Sequence, residues 1–317
     1  MPLISIVTPC YNEEDNVDLL YARVKEQLAA VKRYDHEHIF IDNASTDGTV
    51  ERLRQIAAGD PRVKLILNTR NFGHIRSPMH AYLQAKGDAV IAMASDLQDP
   101  PEMIPELISR WEKGYKVVVG VKPSSRETWA MAVIRRTYYR IIGRISEVAL
   151  IPNFTGFGLY DREVIDAIRQ LDDPYPYFRG LISELGFSFT TIPYDQPKRI
   201  RGITHNNFYT LYDMGMLGIT SHSKLPLRVA TMAGFCLSAI SLLVSFGYLA
   251  AKLLYWDTFS FGTAPIIIAL FFFASVQLFF IGILGEYIGA IHTQVMKRPL
   301  VVEKERVNFG LSENSKS

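Results

Sequence analysis

Short apolar runs alternate with amphipathic segments over residues 1–202 of the chain. Five apolar runs have the length of buried strands: residues 3–7, 38–41, 63–67, 88–94 and 116–121. Between them, the spacing of apolar positions predicts helices at 49–57, 75–86 and 101–113. A first helix is predicted to begin at Asn12, whose side chain would cap it, with three acids in its first turn. This alternation predicts an α/β fold with a doubly wound, mostly parallel sheet.

The pattern continues less regularly up to the end of this region. Residues 128–147 predict a helix, another helix is predicted to start near Asp161, and residues 187–193 predict a strand. Residues 203–225 then mix aromatic side chains and Met with few charges. This composition predicts amphipathic helices that lie at a membrane surface.

Two long apolar runs follow, and they set the class of the protein. Residues 229–251 and 258–285 comprise 23 and 28 residues without any Asp, Glu, Lys or Arg. A helix needs about 20 apolar residues to cross the hydrocarbon core of a bilayer, so each run predicts a transmembrane helix. The alternative is a helical hairpin buried in a large soluble core. It is disfavoured because residues 266–273 are apolar on every helical face.

The charges beside these runs predict how the chain sits in a membrane. The loop at 255–261 carries only Asp257, whereas Lys224, Arg228, Lys297 and Arg298 flank the runs on the other side. The positive-inside rule therefore predicts a multi-pass membrane protein with the α/β domain and both termini in the cytosol. The net charge of +2 gives no reason to expect nucleic acid as a partner.

The predicted organisation has five parts. They are an α/β domain at 1–202, juxtamembrane helices at 203–225, transmembrane helices at 226–254 and 262–292, and a cytosolic tail at 293–317. Small residues late in the second span would permit close helix packing, either within the hairpin or between chains as a homo-oligomer. These small residues are Gly282, Gly285, Gly289 and Ala290.

Candidate chemistry falls in the loops that follow the predicted strands. A doubly wound sheet binds its ligands beyond the carboxyl ends of its strands, which selects the loops at 8–12, 42–45 and 95–99. Two of these loops place an acid at or just after the strand exit, namely Asp42 and Asp96. A glycine-rich phosphate motif does not follow the first strand, so a dinucleotide site and a P-loop are both disfavoured.

Four motifs carry a resemblance to a known family. They are Thr8-Pro9-Cys10-Tyr11-Asn12-Glu13-Glu14, Asp42-Asn43-Ala44-Ser45-Thr46-Asp47, Asn71-Phe72-Gly73 and Asp96-Leu97-Gln98-Asp99-Pro100-Pro101-Glu102. In these motifs the chain resembles family 2 glycosyltransferases with the GT-A fold, and among them the polyprenyl-phosphate glycosyltransferases. Further motifs extend the resemblance over nearly the whole chain: Leu159-Tyr160-Asp161-Arg162, Arg199-x-x-Gly202-x-Thr204 and Gly285-Glu286-Tyr287-Ile288-Gly289.

The resemblance implies a reaction between a nucleotide-sugar and a membrane lipid. A sugar would pass with inversion from a UDP- or GDP-sugar to a polyprenyl phosphate, expected to be undecaprenyl phosphate, at the cytosolic face of the inner (plasma) membrane. Two alternatives stay open. One is a catalytically silent nucleotide-sugar-binding subunit of a glycosylation complex. The other is a polymer-forming transferase, which is disfavoured because two predicted spans are too few for a translocation channel and a Gln-x-x-Arg-Trp motif is lacking.

The resemblance also implies roles for individual residues. Asp96 would hold Mg²⁺ or Mn²⁺ against the diphosphate, the alternative being a helix-capping carboxylate. The implied catalytic residues are Asp96, Gln98 and Arg199, and Asp99 is a further candidate in the same loop. The implied donor-binding residues are Pro9, Tyr11, Asn12, Glu13, Asp42, Asn43, Ser45, Asn71 and Arg201. The acceptor phosphate would contact Arg199, Arg201 and His205. An equally weighted alternative is that these residues only anchor the chain on the cytosolic side of the membrane, as the positive-inside rule describes.

Three positions depart from the family's usual pattern. Ala94 stands where the first acid of an Asp-x-Asp motif is common, Asn43 stands for a second Asp, and Gly156 lies where related proteins carry an acid. Because each departure removes a carboxylate, the chain's metal use and its donor are open at this point. A general base is not required, since a phosphate monoester is already largely dianionic at neutral pH.

Overall fold

The structure is a computed structural model that describes residues 1–122, 151–196, 225–254 and 263–310. Its strands are β1 (Leu3–Cys10), β2 (Asp35–Asp42), β3 (Val63–Asn68), β4 (Ala89–Ala92), β5 (Val117–Val121), β6 (Phe154–Asp161), β7 (Phe189–Pro193) and β8 (Glu303–Val307). Its helices are α1 (Val17–Ala30), α2 (Thr49–Gly59), α3 (Gly73–Gln84), α4 (Ile104–Glu112), α5 (Arg162–Leu171), α6 (Phe178–Glu184), α7 (Leu225–Leu254) and α8 (Thr263–Met296). The helix predicted at 128–147 lies outside the described residues. Of the helices predicted at 203–225, all but the last residue lie outside them as well.

The eight strands form one sheet in the order β7-β5-β6-β4-β1-β2-β3-β8. Six strands run in the same direction, and β6 and β8 run against them. The predicted α/β fold with a doubly wound, mostly parallel sheet is therefore confirmed. The strand order reverses around β1, which pairs with β2 on one side and β4 on the other.

Helices cover both faces of the sheet because side chains along each strand alternate between the two faces. On one face, Ile4, Ile6 and Phe40 share a buried cluster with side chains of α1, α2 and α4. On the other face, Val7 and Ile39 share a second cluster with side chains of α3, α5 and α6. These two layers fix the strand ends, and with them the loops at the carboxyl edge.

The prediction that Asn12 caps the first helix is wrong. Helix α1 begins at Val17 with Asn16 at its N-cap, so the acids expected in the first turn precede the helix. Asn12 instead adopts a left-handed conformation with φ of 56°, and its side-chain oxygen accepts a hydrogen bond from the Thr46 amide at 2.8 Å. Asn is one of the few residue types that tolerate this conformation. A contact with a distant loop has therefore overridden the local capping pattern.

Strands β6 and β8 were not predicted from the sequence. Strand β8 comes from the segment assigned to the tail, and it pairs with β3 through Leu65 and Val307. Its sequence is mostly charged, as is common for an edge strand, and so lacks an apolar run. Strand β6 has glycine at two positions and also gives a weak strand signal. The predicted domain boundaries stay predictions, although the tail supplies a strand to the sheet.

The two C-terminal helices are long and largely exposed. Within the described part of the chain, one helical stretch, Phe272–Met296 in α8, is long and apolar enough to cross a membrane. Helix α7 contains a shorter apolar stretch at Pro226–Leu237. Outward-facing side chains on α8 include Leu278 and Phe279, which are 68% and 66% exposed. The predicted hairpin is therefore supported in one of its two spans.

Candidate active site

The loops after β1, β2, β3 and β4 meet at the carboxyl edge of the sheet, on both sides of the point where the strand order reverses. In doubly wound sheets this edge forms the ligand crevice. The loops after β1 and β2 are joined directly, because the Asn12 amide donates to Ser45 Oγ at 2.9 Å. The sequence-predicted residues Asn12 and Ser45 thus lie side by side.

Asp42 lies at the centre of this pair of loops and is only 2% exposed. The Ser45 amide donates to Asp42 Oδ2 at 3.0 Å, and the Ser45 hydroxyl donates to Asp42 Oδ1. Burial raises the pKa of the Asp42 carboxyl, although these hydrogen bonds act in the opposite direction. An ionised carboxylate has about four acceptor positions, so Asp42 can accept further hydrogen bonds from a ligand.

Asn43 has its hydrogen-bonding groups engaged within the protein. Its amide nitrogen donates to Asn71 Oδ1 at 2.8 Å and to the Gly73 carbonyl at 3.2 Å. Its oxygen accepts from Asn68 Nδ2 at 3.2 Å and from the Phe72 amide at 2.9 Å. An aspartate at this position lacks the two N–H donors. The asparagine therefore fits this framework, and it ties the loop after β2 to the loop after β3.

The remaining residues predicted beside the donor differ in exposure. Glu13 is buried, its amide donates to Thr49 Oγ1 at 2.8 Å, and its carboxylate accepts from Asn16 Nδ2 at 2.6 Å. Tyr11 is 36% exposed at the rim, and Pro9 borders a cavity described below. Glu13 therefore supports the loop from within, whereas Tyr11 is accessible at the rim and Pro9 lines the cavity.

The loop after β4 carries two carboxylates in different surroundings. Asp96 is half-buried and accepts a hydrogen bond from the Gln98 amide at 3.2 Å. The following 3₁₀ turn, Pro101–Met103, has Pro100 at its N-cap and no side-chain cap. Asp96 therefore does not occupy the N-cap of this turn, and the role predicted for it stays a prediction.

Asp99 is the buried carboxylate of this loop. Its Oδ2 accepts from the Ala94 amide at 2.9 Å, and its Oδ1 accepts from the Tyr194 hydroxyl at 3.1 Å. Burial raises the pKa of Asp99 to about 6, and the nearby charge of Asp96 adds to this increase. Asp99 thereby fixes the start of the loop that presents Asp96, and Tyr194 connects this loop to the end of β7.

A cavity of about 340 Å³ opens between these loops and α3. Its wall includes Pro9, Ala94, Asp99 and Gly156, together with side chains from α3 and from the start of α6. Two of the three departures from the family pattern, Ala94 and Gly156, therefore border the same space. Gly156 adopts φ of 105°, a conformation that strains other residues. A larger cavity of about 790 Å³ lies along α3 beside residues 299–303 and contains none of the predicted site residues.

Comparison with known proteins places this site in a family. The family model described as Glycosyl transferase family 2 matches residues 5–169. The chain belongs to glycosyltransferase family 2. An uncharacterized glycosyltransferase of Synechocystis sp. is 36% identical over 94% of this chain and 93% of that protein. The SfII prophage-derived bactoprenol glucosyl transferase of Shigella flexneri is 34% identical over 95% of this chain and 97% of that protein.

Among solved structures, glucosyl-3-phosphoglycerate synthase from Mycobacterium tuberculosis resembles this family 2 glycosyltransferase with a TM-score of 0.49 and 17% identity. The similarity covers 69% of this chain and 78% of that protein. The match to the family model and the two relatives confirm the family relationship and the glycosyltransferase class predicted from the motifs. The roles predicted for individual residues stay predictions.

The described residues of this family 2 glycosyltransferase do not include a cluster of three or more His, Cys, Asp or Glu side chains suited to a metal ion. Mg²⁺ is often held by only one or two carboxylates together with substrate phosphates. The half-buried Asp96 carboxylate fits that pattern. A divalent cation would consequently be held by Asp96 and the donor's diphosphate together.

Three predicted phosphate ligands, Arg199, Arg201 and His205, lie outside the described residues. Strand β7 ends at Pro193, and Tyr194 immediately follows it. Sequence reasoning pointed to the Asp99 loop but missed Tyr194, because the hydrogen bond joins residues 95 positions apart. It also passed over His74 and Arg179, which border the cavity and carry no motif.

Proposed function

We propose that this family 2 glycosyltransferase transfers a sugar, with inversion, from a UDP- or GDP-sugar to a polyprenyl phosphate. The acceptor is undecaprenyl phosphate, and transfer takes place at the cytosolic face of the inner membrane. A relative named as a bactoprenol glucosyl transferase matches 95% of the chain, which supports a lipid acceptor. The alignment runs through the apolar C-terminal part as well as through the sheet domain.

One structural observation carries the proposal: the apolar helix α8 ends at the carboxyl edge of the sheet. Arg76 on α3 donates to the Pro299 carbonyl at 2.6 Å, and the Thr69 amide donates to the Val302 carbonyl at 3.0 Å. Thr69 directly follows β3, so residues just after α8 meet the same edge that forms the crevice. A lipid beside α8 is thereby brought close to a ligand in the crevice.

On the donor side, the nucleoside lies against the loops after β1 and β2. Asp42 accepts hydrogen bonds from the base or ribose, while Asn12 and Ser45 hold the two loops together. Pro9 and Tyr11 form the wall of this pocket. Glu13, Asn43 and Asn71 maintain its shape from behind, and Arg201 contributes to donor binding.

At the reacting centre, the chain's own residues position the reactants. Asp96 would hold a divalent cation, which would supply neutralisation of charge on the diphosphate leaving group. Gln98 lies next to Asp96 in the loop, and Arg199 binds phosphate oxygens together with Arg201 and His205. The acceptor phosphate attacks the anomeric carbon as a dianion, so the chain does not have to remove a proton. Rate enhancement comes from positioning and from electrostatic stabilisation.

The membrane arrangement completes the proposal. Two C-terminal spans place the sheet domain and both termini in the cytosol, in accord with the basic flanks of the apolar runs. Small residues late in α8 allow close packing between copies of the chain, so a homo-oligomer is part of the proposal.

A second candidate function rests on the composition of the cavity wall. Ala94 and Gly156 both border the cavity where related proteins carry acids, which is the pattern expected of a catalytically silent nucleotide-sugar-binding subunit. Such a subunit would bind the donor without turnover. A polymer-forming transferase stays disfavoured for lack of further spans.

The test is transfer of radiolabelled sugar to undecaprenyl phosphate by the full chain in detergent. A panel of UDP- and GDP-sugars is tried with Mg²⁺, with Mn²⁺ and with a chelator. The proposal predicts label in an acid-labile lipid for one donor and loss of that label with the chelator. Donor binding without label, in folded protein and with every donor tried, would contradict the proposal and favour the silent subunit.

A further inference from the structure

A row of basic side chains, four arginines and one histidine, connects the end of α8 with the cavity beside Asp99. The residues of this row lie on and around the first turns of α3, and we name them the cation track: Arg70, His74, Arg76, Arg179 and Arg298. Helix α3 begins at the carboxyl edge of the sheet, because β3 ends there. The cation track therefore extends along the edge that holds the candidate active site.

The membrane end of the cation track is fixed to the sheet domain by two hydrogen bonds. Arg76 Nη2 donates to the Pro299 carbonyl at 2.6 Å, and Gln294 Nε2 donates to Asp173 Oδ1 at 2.8 Å. Arg298 lies between these two contacts in the sequence and is exposed. The last turns of α8 also expose Ile291 and Val295, which are 60% and 75% exposed. An apolar chain and an anionic group can thus be accommodated next to each other at this point.

The middle of the cation track brings like charges together. Burial and the charges of Arg70 and Arg298 lower the pKa of the Arg76 guanidinium. Arg76 Nε is buried and has no hydrogen-bond partner among the residues that the structure describes. An unsatisfied buried donor among like charges is unfavourable, and a bound anion would relieve both costs.

The inner end of the cation track borders the 340 Å³ cavity. His74 and Arg179 both lie in its wall, as do Ala94 and Asp99. Partial desolvation and the charge of Arg179 lower the pKa of the His74 imidazole. Arg179 donates to the Phe154 carbonyl at 3.4 Å and lies 5.5 Å from the centre of the Tyr177 ring. Within the described ranges, neither Arg179 nor Arg76 forms an ion pair with a carboxylate.

We infer that the cation track binds the phosphate of the acceptor lipid as this phosphate moves from the foot of α8 into the cavity. The ligand class is a phosphate monoester on a long apolar chain, with the chain lying along the exposed apolar side of α8. Guanidinium groups suit such a group because they donate paired hydrogen bonds to phosphate oxygens. The inference rests on the proposed function and names candidate acceptor-binding residues in addition to Arg199, Arg201 and His205.

A kinetic experiment tests the cation track within the reaction. Arg76→Gln, Arg179→Gln and Arg298→Gln are compared with the unaltered chain in detergent, varying undecaprenyl phosphate at saturating donor. Each variant is expected to raise the KM for the lipid roughly tenfold, because one charge-assisted hydrogen bond is lost. The KM for the donor should stay unchanged. Arg76→Lys should recover part of the loss, because it keeps the charge. Lys113→Gln, exposed after α4 on the other face of the sheet, is the matched control.

A binding experiment keeps the inference separate from the proposed function. Binding of a fluorescent prenyl phosphate is measured without donor, with inorganic phosphate and phosphatidylglycerol as competitors. The inference predicts weaker binding in Arg76→Gln and Arg298→Gln, competition by inorganic phosphate at high concentration, and little competition by phosphatidylglycerol. Equal binding by all variants would overturn it, and so would equal competition by phosphatidylglycerol, which would make the cation track a general headgroup anchor. Charge-dependent binding without sugar transfer would retain the inference and refute the proposed function.

Discussion

The loops after β1 and β2 and the cation track are two sides of one crevice with opposite electrostatic character. On the donor side, polar groups are paired within the protein: Asp42 accepts from Ser45, and Asn43 has four partners. Along the cation track, Arg76 lies near other cations and has an unpaired buried N–H group in the described structure. One side is preorganised before ligand binds, and the other is completed by an anion.

The largest expected effect comes from replacing Asp96 in the loop after β4. Asp96→Asn should lower the rate of sugar transfer at least about a hundredfold, because the proposed carboxylate ligand of the divalent cation would be lost, and with it the neutralisation of charge on the leaving diphosphate. Initial rates at saturating substrates measure this effect. Glu106→Gln, an exposed acid on α4 that pairs with Arg110, is the matched control and should behave like the unaltered chain. Comparable rates for Asp96→Asn and the control would remove Asp96 from the mechanism.

A smaller effect should separate the donor side from the lipid side. Asp42→Asn keeps the shape of the loop, since an amide nitrogen can donate to Ser45 Oγ in place of the present bond. It removes an acceptor for the nucleoside, so we expect about a tenfold increase in the KM for the donor. The KM for the lipid should stay constant. A change in the lipid KM alone would show that Asp42 does not contact the donor.

The framework behind the donor side can be tested through stability. Asn43→Asp replaces two N–H donors by acceptors that face Asn71 Oδ1 and the Gly73 carbonyl. We expect the free energy of unfolding to fall by about 1–3 kcal/mol, seen as a lower melting temperature in detergent. Gln55→Glu makes the same chemical change on the exposed side of α2 and should have little effect. Equal melting temperatures would show that the network tolerates an acid.

The last prediction concerns pH. His38 is buried in β2 and stacks on Phe40, and burial lowers its pKa to about 3. The unfolded chain takes up a proton near pH 6.5 while the folded chain does not. Stability should therefore fall as pH drops from 6.5 toward 3, by up to about 1.4 kcal/mol per pH unit.

Melting temperatures between pH 4 and pH 8 measure this dependence. His38→Leu should show a shallower decrease on acidification than the unaltered chain, whatever its stability at neutral pH. His292→Gln, an exposed position on α8, should keep the original slope. An unchanged slope in His38→Leu would assign the acid sensitivity to other groups.

Much of the fold followed from local patterns in the sequence. The first four parallel strands and the helices between them have apolar runs and helical spacing that reflect burial on two faces. Motifs at the strand exits also located the loops that bear Asp42 and Asp96. Strand β8 was not predicted because an edge strand is held by hydrogen bonds to its neighbouring strand and can lack an apolar run. Its neighbouring strand, β3, lies more than 230 residues earlier in the chain.

The parts of the site that could not be predicted depend on contacts between distant segments. Asn12 had the sequence signature of a helix cap, but its side chain instead accepts from Thr46. The hydrogen bond from Tyr194 to Asp99 and the approach of Arg298 to Arg76 join segments that only the folded chain brings together. Local sequence patterns therefore indicated which loops form the candidate site. The spatial arrangement of the donor side and the lipid side could be seen only in the structure.

The most direct test of the account is a matrix of initial rates in which donor and undecaprenyl phosphate are varied together. The unaltered chain, Asp42→Asn, Arg76→Gln and the double variant are compared under the same conditions. The account predicts that the first substitution raises only the donor KM, that the second raises only the lipid KM, and that the two effects combine independently. An increase in the same KM for both variants, or in neither, would contradict the division of the crevice into a donor side and a lipid side.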